Sequence, residues 1–125
     1  MPARILIVDD DPLLIRFTEK YLVRHGYEAH GCRTAGEAWQ RMCRSEYGLV
    51  LIDVSLPAEL DAMSAEDLAL RLLDTFPHAG VLLWSGYPFS LEDLRTQYGS
   101  RIGFLHKPFT PAALLAAVEG VAPPA

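Results

Sequence analysis

With 125 residues, of which 50% are hydrophobic and 22% charged, the chain has the make-up of one globular domain with no room for a second. A formal net charge of −5 argues against non-specific nucleic-acid binding and suits a site that gathers carboxylates around a cation. Cys32 and Cys43 have neither C-x-x-C nor zinc-finger spacing and read as free thiols; no run approaches the ~20 apolar residues of a membrane span, and the short run Ile5–Val8 ends in acids, unlike a signal peptide, so a cytoplasmic location is expected.

Short apolar runs alternate with segments of helical period. The first run, Ile5–Val8, lacks polar alternation and reads as a strand covered on both faces. Asp11 followed by Pro12 looks like an N-cap with proline at the first helical position. Leu14, Phe17, Tyr21 and Leu22 then mark an apolar face, and Gly26 ends the helix. A weaker strand falls near Tyr27–His30, and Thr34 with Glu37 matches a capping box for the second helix.

Leu49–Ile52 is the third strand. Ser64 with Asp67 starts a helix whose stripe is Ala65, Leu68, Ala69, Leu72, Leu73 and Phe76. Val81–Trp84 is the fourth strand, Ser90 with Asp93 a further cap, and Ile102–Leu105 the fifth strand. The last helix starts at Thr110-Pro111 and buries Leu114, Leu115 and Val118. Residues 1–121 are thus expected to form the domain, and 122–125 a tail or linker stub. Five strands alternating with five helices predict an α/β, doubly wound parallel sheet with right-handed crossovers. Chemistry in such folds sits at the carboxyl ends of the strands.

Those ends carry Asp9-Asp10-Asp11, Asp53, Ser85 and Lys107. Two carboxylates ~4 Å apart repel by about 4 kcal/mol at an effective dielectric near 20. A cluster of Asp9, Asp10 and Asp53 therefore raises pKa values or collects a cation, and Mg²⁺ fits because it prefers oxygen ligands and binds phosphate alongside carboxylates. A cation there makes Asp53 a candidate nucleophile toward phosphorus, with Lys107 and the Ser85 hydroxyl placed to hold phosphoryl oxygens. Each residue alone has a plainer reading: Asp11 as a helix cap, Asp53 as a turn former, Ser85-Gly86 as an ordinary turn. Their joint placement at four strand ends favours a site.

The order and spacing of Ile5-Leu-Ile-Val-Asp-Asp-Asp11, Leu49-Val-Leu-Ile-Asp53-Val-Ser-Leu-Pro57, Leu82-Leu-Trp-Ser85-Gly86 and Phe104-Leu-His-Lys107-Pro108-Phe109 closely resemble the response-regulator receiver family of two-component signalling, over essentially the whole chain. The resemblance implies a flavodoxin-like (βα)5 fold with strand order 2-1-3-4-5, the order that a chemotaxis receiver exemplifies. It implies that Asp9 and Asp10 bind Mg²⁺, that Asp53 is the phosphorylated aspartate and a metal ligand, and that the backbone carbonyl of Ser55 is a further ligand. Ser85 matches the switch hydroxyl, Lys107 the phosphoryl-binding lysine, and Phe104 the switch aromatic. The Lys107–Pro108 bond is expected to be cis. The donor would be a phosphohistidine on a sensor histidine kinase or phosphotransfer protein, and the output an unidentified effector docked on the face of helix four, strand five and helix five. Neither direct nucleic-acid nor membrane contact is expected.

The sequence departs from the family in three places. The interval between Asp53 and Ser85 is longer than is common, with the extra length in 57–63, where Glu59 and Asp61 stand and the usual glycine is missing. Such a loop could contact a kinase or alter metal access, or be a tolerated surface insertion. Tyr87 is bulky for a position that borders the phosphoryl group and could shield it from water. The last helix carries a single charge, Glu119, which counts against a dimer built on charged pairs. His25, His30, His78 and His106 are scattered without ligand spacing.

Other functions fit less well. A haloacid-dehalogenase-type phosphatase would use Asp9-x-Asp11, Ser85 and Lys107, but needs an acidic pair after the lysine, where only Glu119 follows, and leaves Asp53 unexplained. A flavodoxin-like cofactor binder needs a phosphate loop where this chain places three acids. A degenerate receiver acting as a docking module would not retain the full set of functional positions.

Overall fold

The computed structural model describes residues 4–54, 64–85 and 92–121. The elements in chain order are β1 (Arg4–Val8), α1 (Pro12–Arg24), β2 (Glu28–Cys32), α2 (Ala35–Arg44), β3 (Leu49–Asp53), α3 (Ala65–Thr75), β4 (Gly80–Ser85), α4 (Glu92–Tyr98), a single 3-10 turn (Gly99–Arg101), β5 (Ile102–His106) and α5 (Pro111–Val121). The strands form one five-stranded sheet in the order β2-β1-β3-β4-β5, every neighbouring pair parallel. This is the expected doubly wound order.

Side-chain parity divides the core. Leu6, Val8, Val50, Ile52, Val81, Leu83 and Ile102 point to one face and pack with α2 and α3. Ile5, Ile7, Leu49, Leu51, Leu82, Trp84 and Leu105 point to the other and pack with α1 and α5. Burial on both faces is why these strands read as unbroken apolar runs. Leu94 and Tyr98 place α4 on the α2–α3 face, where half-buried Phe104 also packs.

Local chemistry sets the helix boundaries. The Asp11 carboxylate accepts hydrogen bonds from Leu13 and Leu14 N–H, so it caps α1 as expected. Gly26 follows the helix end at φ +91°, a conformation open to glycine. Thr34 Oγ1 accepts from Glu37 N–H, but the Glu37 carboxylate pairs with Arg41 one turn on instead of closing the capping box. Ser64 and Asp67 do close theirs. Thr110 Oγ1 accepts from Ala113 N–H at the start of α5.

Three sequence expectations shift. The buried stripe of α1 is Ile15, Thr18 and Leu22, with Leu14 and Tyr21 on its flanks, and Phe17 is 46% exposed. Hydrophobicity placed Phe17 inside, but the helical period centred on Ile15 turns it away from the sheet, where it stacks on Tyr21. The second strand starts at Glu28 rather than Tyr27 and runs to Cys32. As an edge strand it buries only Cys32, so its pattern is faint, and the Arg4–Glu28 ion pair of 3.1 Å lies across its first register pair. In α5, Leu114 and Val118 are buried and Leu115 is half-buried. The Ser90 cap and the tail 122–125 lie outside the described residues.

Candidate functional site

Register brings the chemistry to one edge of the sheet. Val8 pairs with Ile52, so Asp9 and Asp53 each follow a matched pair; Asp53 pairs with Trp84, and Ser85 with His106. The ends of β1, β3, β4 and β5 thus lie level, with Lys107 one residue beyond. The carboxylates of Asp9, Asp10 and Asp53 each offer an oxygen within 4.8 Å of the others. Asp9 is 1% and Asp53 3% exposed, whereas Asp10 is open to solvent.

Fixed contacts hold this group in place. Asp9 N–H donates to Cys32 carbonyl, prolonging the β1–β2 ladder by one step. Asp9 Oδ1 accepts from Asp11 N–H at 2.9 Å, and Oδ2 accepts from Lys107 Nζ at 2.9 Å. Arg33 donates to the Asp10 carbonyl at 3.3 Å. Burial pushes the Asp9 carboxyl above its usual range, and the Asp53 charge adds to this; the Lys107 and Asp11 hydrogen bonds only partly oppose it. The Asp9 carboxyl, which burial holds back from ionisation, therefore sits beside two more acids, an arrangement that a bound cation relieves. Three hard oxygen donors, one open to water, fit Mg²⁺.

Lys107 is the counter-charge. Its ammonium lies 2.9 Å from Asp9 Oδ2 and 3.5 Å from Asp53 Oδ2, and its bond to Pro108 is cis, as expected. Its Nζ also sits 5.1 Å from the centre of the Trp84 ring, which stacks on Phe109 at 5.5 Å and 13°. In the sequence, Trp84 is one more apolar residue of β4, and Phe109 carries no role of its own. The signal was the parity of β4: Trp84 shares the α1–α5 face with Leu82 and adjoins Ser85.

The structure thus gathers Asp9, Asp10, Asp53 and Lys107, and leaves Asp11 as the α1 cap. Ser85 is described through its backbone, which ends β4; its side chain, Ser55, Gly86, Tyr87 and the 57–63 loop lie outside the described residues. Phe104 sits in β5, half-buried, its ring 6.4 Å from that of His106. The rival phosphatase does not gain from this layout. Asp11 is committed to backbone N–H groups, and Asp53 stands inside the acid cluster.

Comparison with known proteins places the arrangement. The response regulator receiver domain family matches residues 5–119. Protein PetR of Rhodobacter capsulatus is 27% identical over 120 residues, covering 96% of this chain and 48% of PetR. Transcriptional regulatory protein GltR of Pseudomonas aeruginosa is 28% identical, covering 94% and 48%. The chain therefore spans about half the length of these curated relatives. A CheY-like receiver domain protein from Methanospirillum hungatei superposes with a TM-score of 0.80 at 30% identity, covering 95% of this chain and 92% of its own. Response regulator TrrA of Thermotoga maritima, solved in complex with Mg²⁺-BeF, superposes at 0.80 with 25% identity, covering 97% and 99%. Among the described residues no helix is long and apolar enough to cross a membrane. With the family matched over almost the whole chain and its fold reproduced strand for strand, this chain belongs to the response regulator receiver domain family.

Proposed function

We propose that Asp53 is the phosphoryl acceptor of a two-component relay, held ready by Asp9, Asp10 and Lys107. The observation that carries this is the buried acid pair Asp9–Asp53 bridged by Lys107 Nζ, with Asp10 completing a triad of oxygen donors. The family is one of signalling domains, and this chain's own chemistry is confined to taking up and losing its phosphoryl group.

Asp9, Asp10 and Asp53 would hold Mg²⁺, joined by the Ser55 carbonyl that the family resemblance assigns. Held there, the ion would screen the carboxylates and the donor's phosphoryl oxygens from one another. The binding of Mg²⁺-BeF by TrrA supports the same use of this site. An Asp53 carboxylate oxygen attacks phosphorus in line with the leaving nitrogen of a phosphohistidine. The Asp53 O–P bond forms, the N–P bond breaks, and the freed imidazole nitrogen takes a proton. Lys107 turns from Asp9 toward a phosphoryl oxygen, and the Ser85 hydroxyl donates to another. Inward movement of Ser85 then lets Phe104 follow, which biases the face formed by α4, β5 and α5. Hydrolysis of the acyl phosphate by water resets the site.

The donor is a sensor histidine kinase or a histidine phosphotransfer protein, and the listener an effector in the same or another chain. Acetyl phosphate with Mg²⁺ should add one phosphoryl mass to the intact protein. Asp53→Asn or excess chelator should abolish the adduct, and an adduct that survives in Asp53→Asn would refute the assignment.

A further inference from the structure

Hydrogen bonding among the described residues gives Trp84 no reason to be a tryptophan. It is 0% exposed, and its Nε1–H has no acceptor among the described residues. An unpaired buried donor is a cost that an aliphatic residue would not carry. The ring face, however, is in use. Lys107 Nζ lies 5.1 Å from its centroid, and Phe109, two residues further on, stacks on the same indole at 5.5 Å and 13°. The Lys107–Pro108–Phe109 segment therefore grips Trp84 through both of its ring-seeking side chains. The indole is itself set by strand register, since Trp84 pairs with Asp53 on one side and Leu105 on the other.

We infer that Trp84 is a positioning residue for Lys107: its π-face holds the ammonium between Asp9 and Asp53. Lysine has four rotatable methylenes and a compact charge, so two carboxylates alone leave it free to settle on either. The negative face of an indole adds a third attraction from a fixed direction, and among aromatic rings it is the strongest. Held there, Nζ is 2.9 Å from Asp9 and 3.5 Å from Asp53, a small swing from a phosphoryl oxygen on the latter. Phe109 keeps the indole from tilting. The inference rests on the reading of Lys107 as the phosphoryl-binding cation.

A double-mutant cycle tests it, with the rate of Asp53 phosphorylation by acetyl phosphate at saturating Mg²⁺ as readout. Trp84→Met removes the π-face at modest loss of volume and should slow the reaction about tenfold, while Trp84→Phe, which keeps a face, should recover most of that. In a Lys107→Ala background the Trp84→Met effect should shrink to within about twofold. An equal slowing with and without Lys107 would overturn the inference, as would Trp84→Phe being as slow as Trp84→Met. Should Trp84→Met fold poorly, Phe109→Leu, which removes the ring stacked on the indole, runs through the same cycle with the same two outcomes. Failure of the phosphorylation reading itself looks different: wild-type protein then acquires no adduct, or Lys107→Ala matches the wild-type rate.

Discussion

Asp9 shows how a single side chain sets the resting energetics of the site. Its carboxyl is pushed up because it is buried beside Asp53, and Lys107 offsets this only in part. With a folded pKa above the unfolded value near 3.8, the unfolded chain ionises first as pH rises. The cost to folding appears across that interval and is fully present above the folded pKa. Asp9→Asn should therefore raise the Tm of metal-free protein at pH 7 by about 2–6 °C, on the order of 1 kcal/mol. The gain should fade as pH drops toward 4, because the wild-type carboxyl is then protonated as well. Scanning calorimetry across that range checks both sign and window. The thiols offer a second residue-level contrast. Burial pushes the Cys32 thiol up to about 12, whereas Cys43 is exposed. Native protein should release one equivalent of chromophore from a disulfide reagent within minutes, and a second only after denaturation.

Arg101 belongs to the scale of elements. The last turn of α3 carries no basic residue, yet its carbonyls need donors. Arg101, from the turn before β5, donates to Leu73 and Phe76 carbonyls at 2.8 Å and to Ala79 carbonyl at 3.1 Å. Tyr98 adds a bond to Asp74 at 2.7 Å, so the end of α4 and the start of β5 are tied to the end of α3. Hydrogen bonds from a charged group contribute about 1.5–3 kcal/mol each at most, and they are not additive. Arg101→Ala should lower unfolding free energy by about 2–4 kcal/mol in urea titration. Lysine at that position should recover less than half, since it lacks the planar fork. Nothing in the sequence announced this tie, because its members are more than twenty positions apart and each is ordinary alone. Local signals fared better. The Asp11 and Ser64 caps and the α3 stripe were legible because they depend on residues three or four apart. The α1 face differs from its hydrophobic pattern because hydrophobicity alone cannot tell Thr18, turned inward, from Phe17, turned out. The positions of Asp9, Asp53 and Lys107 were legible as strand ends, whereas the Trp84–Lys107 contact depends on side-chain direction across two strands.

At the scale of the whole molecule, two electrostatic effects are superimposed and can be separated. The chain carries a net charge of −5, a diffuse self-repulsion between largely exposed groups. The acid cluster is different, because Asp9 and Asp53 are almost wholly out of water. Monovalent salt screens the first over about 8–10 Å at 0.1–0.15 M, but reaches the second poorly. A divalent cation held by the three carboxylates would act on the second directly, and binding to the folded state alone stabilises it in proportion to RT ln(1 + [L]/Kd). At tenfold excess over Kd that is about 1.4 kcal/mol, so Mg²⁺ should raise Tm by about 3–7 °C at constant ionic strength. Sodium chloride at matched ionic strength should raise it by less than half as much. Chelator should reverse the Mg²⁺ effect, and Asp53→Asn should blunt it while leaving the sodium response intact. Equal responses to the two salts would mean that the divalent ion acts on net charge alone, and that the strand-end carboxylates do not work together as one site.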